Sequence, residues 1–134
     1  DAIFFPGGLG LMTDMVDNPL VKEVIKKVYE NEKVIGAVCH GPSALLNVIL
    51  SDGSNLLKGK KINSFTKAEE EEDKHTLGDV IPFMLDEELI KQGALFSYDK
   101  PFESYVINDG NIITGQNPAS ASKVALKMID LLTN

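Results

Sequence analysis

The chain has 134 residues, of which 43% are hydrophobic and 25% are charged, and this composition predicts one globular domain with a buried core. Its formal charge of −7 argues against nucleic acid and anionic membrane surfaces as partners, and no apolar run approaches the roughly 18 residues of a membrane span. The single cysteine excludes an intramolecular disulfide and favours the reducing cytoplasm as the compartment.

The first predicted element is a strand over residues 1–5, which begins with neither a starting methionine nor a signal sequence. No strand–helix pair precedes it, so we expect an N-terminal strand–helix segment to be missing from this sequence. In a processed or nicked protein, that segment would persist as a separate chain and a partner.

A glycine-rich loop follows this strand and reads Pro6-Gly7-Gly8-Leu9-Gly10. It does not match a dinucleotide site, because that fingerprint needs glycines at other intervals and a helix that opens at once. Here the next helix is expected only after Asn18-Pro19. We interpret the loop as a place where glycine lets the backbone approach a substrate, so that an N–H donates to a developing oxyanion.

Asn18-Pro19 is typical of a helix N-terminus, with asparagine as the N-cap and proline as the first helical residue. Apolar residues then recur at helical spacing as far as Tyr29, and we expect them to form the buried face: Leu20, Val21, Val24, Ile25 and Val28. The opposite face carries charges that we interpret as a solvated surface: Lys22, Glu23, Lys26, Lys27 and Glu30.

The next strand, over residues 34–38, consists of small and β-branched apolar residues and is predicted to be buried on both faces. Gly41-Pro42 ends it and favours a first helical turn, which places Cys39 at a sheet edge and at a helix N-terminus, where a thiolate is stabilised. His40 supplies a base, although only a sharp elbow would bring two neighbouring strand residues together. The alternative is that Cys39 is a small buried hydrophobe.

The helix after this elbow is predicted to run through Ala44, Leu45, Leu46 and Val48. A short strand over residues 61–65 follows, and then an acidic run over residues 67–74. Because the ends of neighbouring parallel strands meet at one edge of a sheet, we expect one carboxylate of this run to reach and orient an imidazole there. A solvated helix start is the alternative interpretation.

His75 is the second histidine of the chain, and a Cys39–His75 pair is the rival to Cys39–His40. Its polar, glycine-bounded loop favours a surface position. Neither histidine has a further histidine or cysteine at zinc-ligand spacing, so the sequence predicts no metal site.

The remaining patterns predict a helix over residues 85–92 that Gly93 stops, a tight hairpin over residues 106–114 and a last helix over about 119–132. The core face of the last helix is expected to comprise Val124, Met128, Ile129 and Leu132. Strands and helices alternate along the chain, which predicts an α/β fold with a mostly parallel sheet covered on both faces, as a single domain over residues 1–134.

Three motifs carry a family resemblance: Phe4-Phe5-Pro6-Gly7-Gly8, Ala37-Val38-Cys39-His40-Gly41-Pro42 and Ile113-Thr114-Gly115-Gln116-Asn117-Pro118-Ala119-Ser120. On these residues the whole chain resembles the ThiJ/PfpI superfamily, and within it the branch of heat-shock chaperones and glutathione-independent glyoxalases (glyoxalase III). The resemblance implies a class I glutamine amidotransferase-like fold, which is a flavodoxin-like three-layer sandwich. It also implies that a preceding segment supplies part of the sheet and an acidic residue that contacts the cysteine.

The resemblance further implies a catalytic set of Cys39, His40 and Glu70, the last of which stands five residues after Phe65. Glu69 and Glu71 remain alternatives to Glu70, because a shift of one residue is compatible with the pattern.

For the oxyanion, the resemblance implies that the N–H groups of Gly8 and His40 are the donors. Leu9 departs from the family pattern, since many members of this branch have histidine there. An apolar residue at the pocket mouth bears on substrate preference.

The implied reaction begins when the thiolate adds to the aldehyde carbon of methylglyoxal or a similar 2-oxoaldehyde. His40 moves a proton between the two carbons through an enediol, and water releases D-lactate from the thioester. No metal, nucleotide, glutathione or other cofactor is required, and relatives suggest a homodimer. The alternative functions are a holdase chaperone, a cysteine peptidase or amidase, and a redox sensor.

Overall fold

The computed structural model of the protein describes residues 1–72 and 81–134. Its strands are β1 (Ala2–Phe5), β2 (Val34–Val38), β3 (Lys61–Ile62), β4 (Leu95–Phe96), β5 (Val106–Asp109) and β6 (Ile112–Gly115). Its α-helices are α1 (Leu11–Asp14), α2 (Pro19–Glu30), α3 (Lys67–Glu72), α4 (Leu85–Lys91) and α5 (Ala121–Thr133). Within the described residues, short 3₁₀-helices cover Gly41–Leu45 and Pro118–Ser120.

The main sheet has four strands in the order β1-β2-β6-β5. Strands β1, β2 and β6 are parallel, while β5 and β6 form the predicted antiparallel hairpin. Strands β3 and β4 pair in parallel as a separate two-stranded sheet. The predicted α/β fold with a mostly parallel sheet is therefore confirmed.

The central strand β2 is buried on both faces, as its apolar sequence predicts. Ile35 and Ala37 point into a core shared with Ile25 of α2, whereas Val34 and Val38 point into a second core shared with Val124 and Met128 of α5. Because alternate strand residues face opposite sides, one strand serves both cores. Helices thus cover both faces of the sheet.

The predicted buried faces of two helices are wrong at their flanks. Leu20 and Val24 of α2 are 77% and 45% exposed, and Ile129 and Leu132 of α5 are 55% and 47% exposed. A helix that packs on a sheet buries only a narrow stripe, and periodicity alone does not show how wide that stripe is. Leu20 and Val24 line an apolar groove together with Ile3 and Phe5 of β1. Strand β1 is at the edge of the sheet, and in the described residues no strand pairs with its outer side.

Two predicted elements differ in extent, and one observed helix was not predicted. The helix after the elbow is a 3₁₀-helix that ends at Leu45, because the next residue, Leu46, has an extended backbone with a ψ of 146°. The strand predicted over residues 61–65 is only Lys61–Ile62. The one-turn helix α1 begins directly after the glycine-rich loop, whereas the first helix was expected only after Asn18-Pro19.

Candidate active site

Cys39 forms the sharp elbow that the sequence required. Its φ of 63° is in the left-handed region that non-glycine residues rarely adopt. Its N–H donates to the carbonyl of Gly115 over 2.9 Å, and its own carbonyl accepts from Phe65 N–H over 2.9 Å. Because both backbone groups are fixed by neighbouring segments, the strained conformation is retained.

This elbow brings neighbouring side chains together. The Sγ atom of Cys39 lies 3.4 Å from Nδ1 of His40. The imidazole is buried, whereas Cys39 is half-buried. The elbow therefore resolves the difficulty that adjacent strand residues point to opposite faces.

The other ring nitrogen of His40, Nε2, hydrogen-bonds to Oε1 of Glu70. Glu70 is buried, and it comes from α3, thirty residues further along the chain. Glu69 is buried too but bonds to other partners, and Glu71 is exposed. Of the three adjacent carboxylates, Glu70 is the one that contacts the imidazole.

The pKa of His40 is raised from 6.5 to about 9. Burial acts in the opposite direction, and the hydrogen bonds and charges of Cys39 and Glu70 outweigh it. At neutral pH the ring therefore carries two protons and donates through Nδ1 towards the sulfur and through Nε2 to the carboxylate.

The helix after Cys39 contributes less than the sequence analysis expected. It is a 3₁₀-helix of five residues, and His40 occupies its N-cap position. The partial charge at a helix terminus grows with the number of aligned peptide groups, so a single short turn provides a weak dipole. The positive charge in contact with the sulfur is that of the His40 ring.

The glycine-rich loop approaches the elbow through Gly7. A Cβ atom on Gly7 would lie 2.8 Å from the carbonyl oxygen of Val38 and 3.1 Å from Cβ of Cys39. Gly8 is exposed, and a Cβ atom there would meet nothing within 4 Å. The close backbone approach that the sequence analysis assigned to the loop is thus made by Gly7, and its closeness to Cys39 was missed because both glycines read alike in the sequence.

Two backbone donors near the elbow are available. Within the described residues, neither Gly8 N–H nor His40 N–H donates to a protein acceptor. Leu9 is half-buried and packs against the core on the α2 side of the sheet. The roles of Gly8 and Leu9 towards a substrate remain predictions.

The end of β6 and the residues after it hold the surroundings of the site in place. Within β6, Thr114 Oγ1 accepts from Asn63 N–H over 3.0 Å, and Asn63 follows directly after β3. Gln116 accepts from Asp99 N–H over 2.9 Å and donates to the carbonyl of the same residue over 3.2 Å. In the sequence these residues were identified only as part of a family motif, and polar side chains at the end of a buried strand were the signal for this role.

Residues 1–72 and 81–134 contain no group of three or more histidine, cysteine, aspartate or glutamate side chains arranged to hold a metal ion. His75, the rival partner for Cys39, lies outside the residues that the structure describes. In the described part of the chain, no helix has the length and apolar character that a membrane span requires.

Comparisons with known proteins agree with these features. A model of the DJ-1/PfpI family matches residues 1–131. The glutathione-independent glyoxalase HSP31 of Saccharomyces cerevisiae is 32% identical over 142 residues, which cover 98% of this chain and 58% of that protein.

Two solved structures are similar over nearly the whole chain. The X-ray structure of the Rapid Encystment Protein of Francisella tularensis has a TM-score of 0.92 and 40% identity, covering 100% of this chain and 59% of that chain. The crystal structure of glyoxalase III from Candida albicans has a TM-score of 0.87 and 32% identity, covering 97% and 56%. This chain thus spans somewhat more than half the length of each relative. The motifs, the fold and the family match agree, and the chain belongs to the DJ-1/PfpI family.

Proposed function

We propose that the chain carries the active site of a glutathione-independent glyoxalase of the glyoxalase III type. Its substrate is then methylglyoxal or a similar 2-oxoaldehyde, and its product is a 2-hydroxy acid. The observation that carries this proposal is the continuous contact from Cys39 Sγ through the His40 ring to Glu70. The names of the relatives from Saccharomyces cerevisiae and Candida albicans support the reaction class.

The first step uses Cys39 as the nucleophile. Its thiolate adds to the aldehyde carbon, a C–S bond forms, and the carbonyl π electrons move to the oxygen. The N–H groups of Gly8 and His40 are the proposed donors to this oxyanion, which takes a proton from the His40 ring to give a hemithioacetal.

The next step is an internal redox change between two carbons. His40 carries the proton of the former aldehyde carbon to the adjacent carbonyl oxygen, which gives an enediol. It then carries the proton of the first hydroxyl group to the adjacent carbon, which leaves a thioester and a new hydroxyl group. Water then attacks the thioester, the C–S bond breaks, and the thiol and the 2-hydroxy acid are released. The sum adds one water to the 2-oxoaldehyde and needs no external oxidant. Glu70 keeps the imidazole oriented through these transfers.

Replacing Cys39 by serine and following methylglyoxal loss and 2-hydroxy acid formation tests this proposal. We expect the variant to lose activity by about 10³-fold or more, because a serine hydroxyl is a far weaker nucleophile at neutral pH. A Ser51→Ala variant, which alters an exposed hydroxyl elsewhere, is the control and should keep full activity. Unchanged turnover in the serine variant would exclude covalent catalysis by this sulfur.

A partner for the open edge of β1 is also proposed. The apolar groove there supports either a further segment of the protein or a second copy as its cover. The two forms of this proposal are the N-terminal fragment and the homodimer that were expected from the sequence. The proposed compartment of the protein is the cytoplasm. Native mass spectrometry of the purified protein distinguishes the forms by the mass of each species.

The exposed groove is also the observation that favours a holdase chaperone as a second function. Such a function requires apolar surface and does not use the thiol. The Cys39→Ser variant should then still suppress the aggregation of an unfolded client, whereas the glyoxalase activity should be lost. Loss of both properties in a folded variant would contradict a separate chaperone surface.

A further inference from the structure

A second carboxylate is buried beside the one that contacts His40. Glu69 has no exposed surface, although it is charged and stands in an acidic run. Buried carboxylates are costly unless hydrogen-bond donors compensate for lost water. Four donors meet the two carboxylate oxygens of Glu69, so its side chain has a specific structural task.

Two of these donors belong to Thr66. Its N–H and its Oγ1 each lie 3.0 Å from Oε1 of Glu69, and Oγ1 in turn accepts from Glu69 N–H over 3.1 Å. This reciprocal pair is a capping box at the start of α3. The pattern Thr66-Lys67-Ala68-Glu69 was its sequence signal.

The other two donors come from different parts of the chain. Phe102 N–H donates to Oε2 over 2.8 Å, and Asn117 Nδ2 donates to the same oxygen over 2.9 Å. Phe102 has a φ of 64°, and its ring packs edge-on against Phe65, whose ring lies 4.7 Å from that of His40. Glu69 therefore joins α3 to the segment around Phe102 and to the residues after β6.

Such an anchor matters because the described part of α3 is six residues long. Six helical residues are not stable by themselves, so external contacts determine the position of this segment. Glu70 is the next residue along α3, and any shift or rotation of this helix moves the carboxylate that contacts His40.

We propose that Glu69 is a positioning residue, which holds Glu70 on Nε2 of His40 by fastening α3 to Phe102 and Asn117. The proposal deepens the proposed function, because that function uses the Glu70–His40 pair. Within the described residues, the side chains that hydrogen-bond to the imidazole are Cys39 and Glu70. Glu69 is not among them, and its proposed effect on the ring is to hold its neighbour in place.

Glu69→Gln is a sharp test, because no rotation of the glutamine amide restores all the hydrogen bonds of the carboxylate. Each carboxylate oxygen of Glu69 meets a fixed backbone donor, Thr66 N–H at Oε1 and Phe102 N–H at Oε2. In either orientation the NH₂ group of glutamine therefore faces a backbone N–H. Glu71→Gln is the matched control, since Glu71 is the exposed neighbour of Glu70 on the same helix.

The primary readout is the titration of the His40 ring, followed by NMR of the histidine side chains. A His75→Gln spectrum assigns the two histidines of the chain. In Glu69→Gln we expect the midpoint of His40 to fall by about one pH unit or more, because a displaced Glu70 no longer stabilises the protonated ring. The control should titrate like the unaltered protein. We also expect kcat for methylglyoxal to fall about tenfold with a smaller change in KM.

A folded Glu69→Gln protein with an unchanged His40 titration would overturn the proposal. If that variant does not fold, Thr66→Ala replaces it, because it removes one donor to Glu69 and keeps the carboxylate. A smaller fall of the His40 midpoint is then expected, and an unchanged midpoint would overturn the proposal. Should the titration shift while the unaltered protein has no glyoxalase activity, the positioning role stands and the proposed function fails.

Discussion

Phe65 donates its backbone N–H to the carbonyl oxygen of Cys39 over 2.9 Å, and its ring lies 4.7 Å from the imidazole of His40. One residue thus connects the strained elbow to the segment that leads into α3. Glu70 follows five residues later, so the contact that places Phe65 also brings the carboxylate to the imidazole. The candidate site is assembled by backbone contacts between distant segments as much as by its side chains.

Replacing Glu70 by glutamine should lower the pKa of His40 towards 6.5, because the carboxylate contributes to its rise to about 9. Turnover of methylglyoxal should fall by about 10²-fold, a typical contribution of an oriented acid–base group. The pH dependence of kcat is the measurement, and the limb that reports loss of the His40 proton should move to lower pH. Glu71→Gln should leave the profile in place, and a Glu70→Gln profile equal to that of the unaltered protein would refute the orienting role.

The stability of the fold should depend on pH through His40. Its pKa is higher in the folded chain than the ordinary value of 6.5, so the stabilisation is fully present below pH 6.5 and is lost as the pH rises through about 9. The free energy of unfolding, measured in urea between pH 6 and pH 10, should therefore decrease over this window. In a His40→Asn variant this particular decrease should be absent, and an identical pH dependence in both proteins would show that His40 is not its source.

Gly7→Ala should destabilise the protein more than Gly8→Ala. Both glycines have a positive φ, 103° and 98°, so the backbone strain of an alanine is similar at the two positions. Only at Gly7 would the new Cβ meet a backbone atom, the Val38 carbonyl oxygen at 2.8 Å. We expect the free energy of unfolding to be lower by about 1–3 kcal/mol in Gly7→Ala than in Gly8→Ala. Equal values in urea titrations would contradict the close approach of Gly7 to the elbow.

Thr114→Val should destabilise the protein, because it removes the buried hydrogen bond between Asn63 N–H and Thr114 Oγ1. Valine has a similar shape but no acceptor, so the buried N–H loses its partner at a cost of about 1–3 kcal/mol. Hydrogen exchange of the Asn63 amide should become faster in Thr114→Val. Thr114→Ser keeps the hydroxyl and should retain the protection of that amide, and equal exchange in both variants would show that the hydroxyl is not the acceptor.

Features that depend on residues close together in the chain were predicted correctly from the sequence. The apolar composition of β2, the Asn18 cap before Pro19 and the hairpin of β5 and β6 each depend on residues close together in the chain. The position of Cys39 at the end of a buried strand followed from the same local reasoning. The exposure of the flanks of α2 and α5 could not be predicted in this way, because the width of the buried face of a helix depends on which elements lie opposite.

By itself, the sequence determined the α/β fold and the elbow after β2, since local backbone preferences decide these features. It left the partner of Cys39 open between His40 and His75. Only the tertiary structure decided that Glu70 contacts His40, that Glu69 contacts Phe102 and Asn117, and that Gly7 approaches Cys39. Neighbouring residues of the same type are indistinguishable in a sequence. What separates them is the direction in which the folded backbone points each one, and contacts with distant segments set that direction.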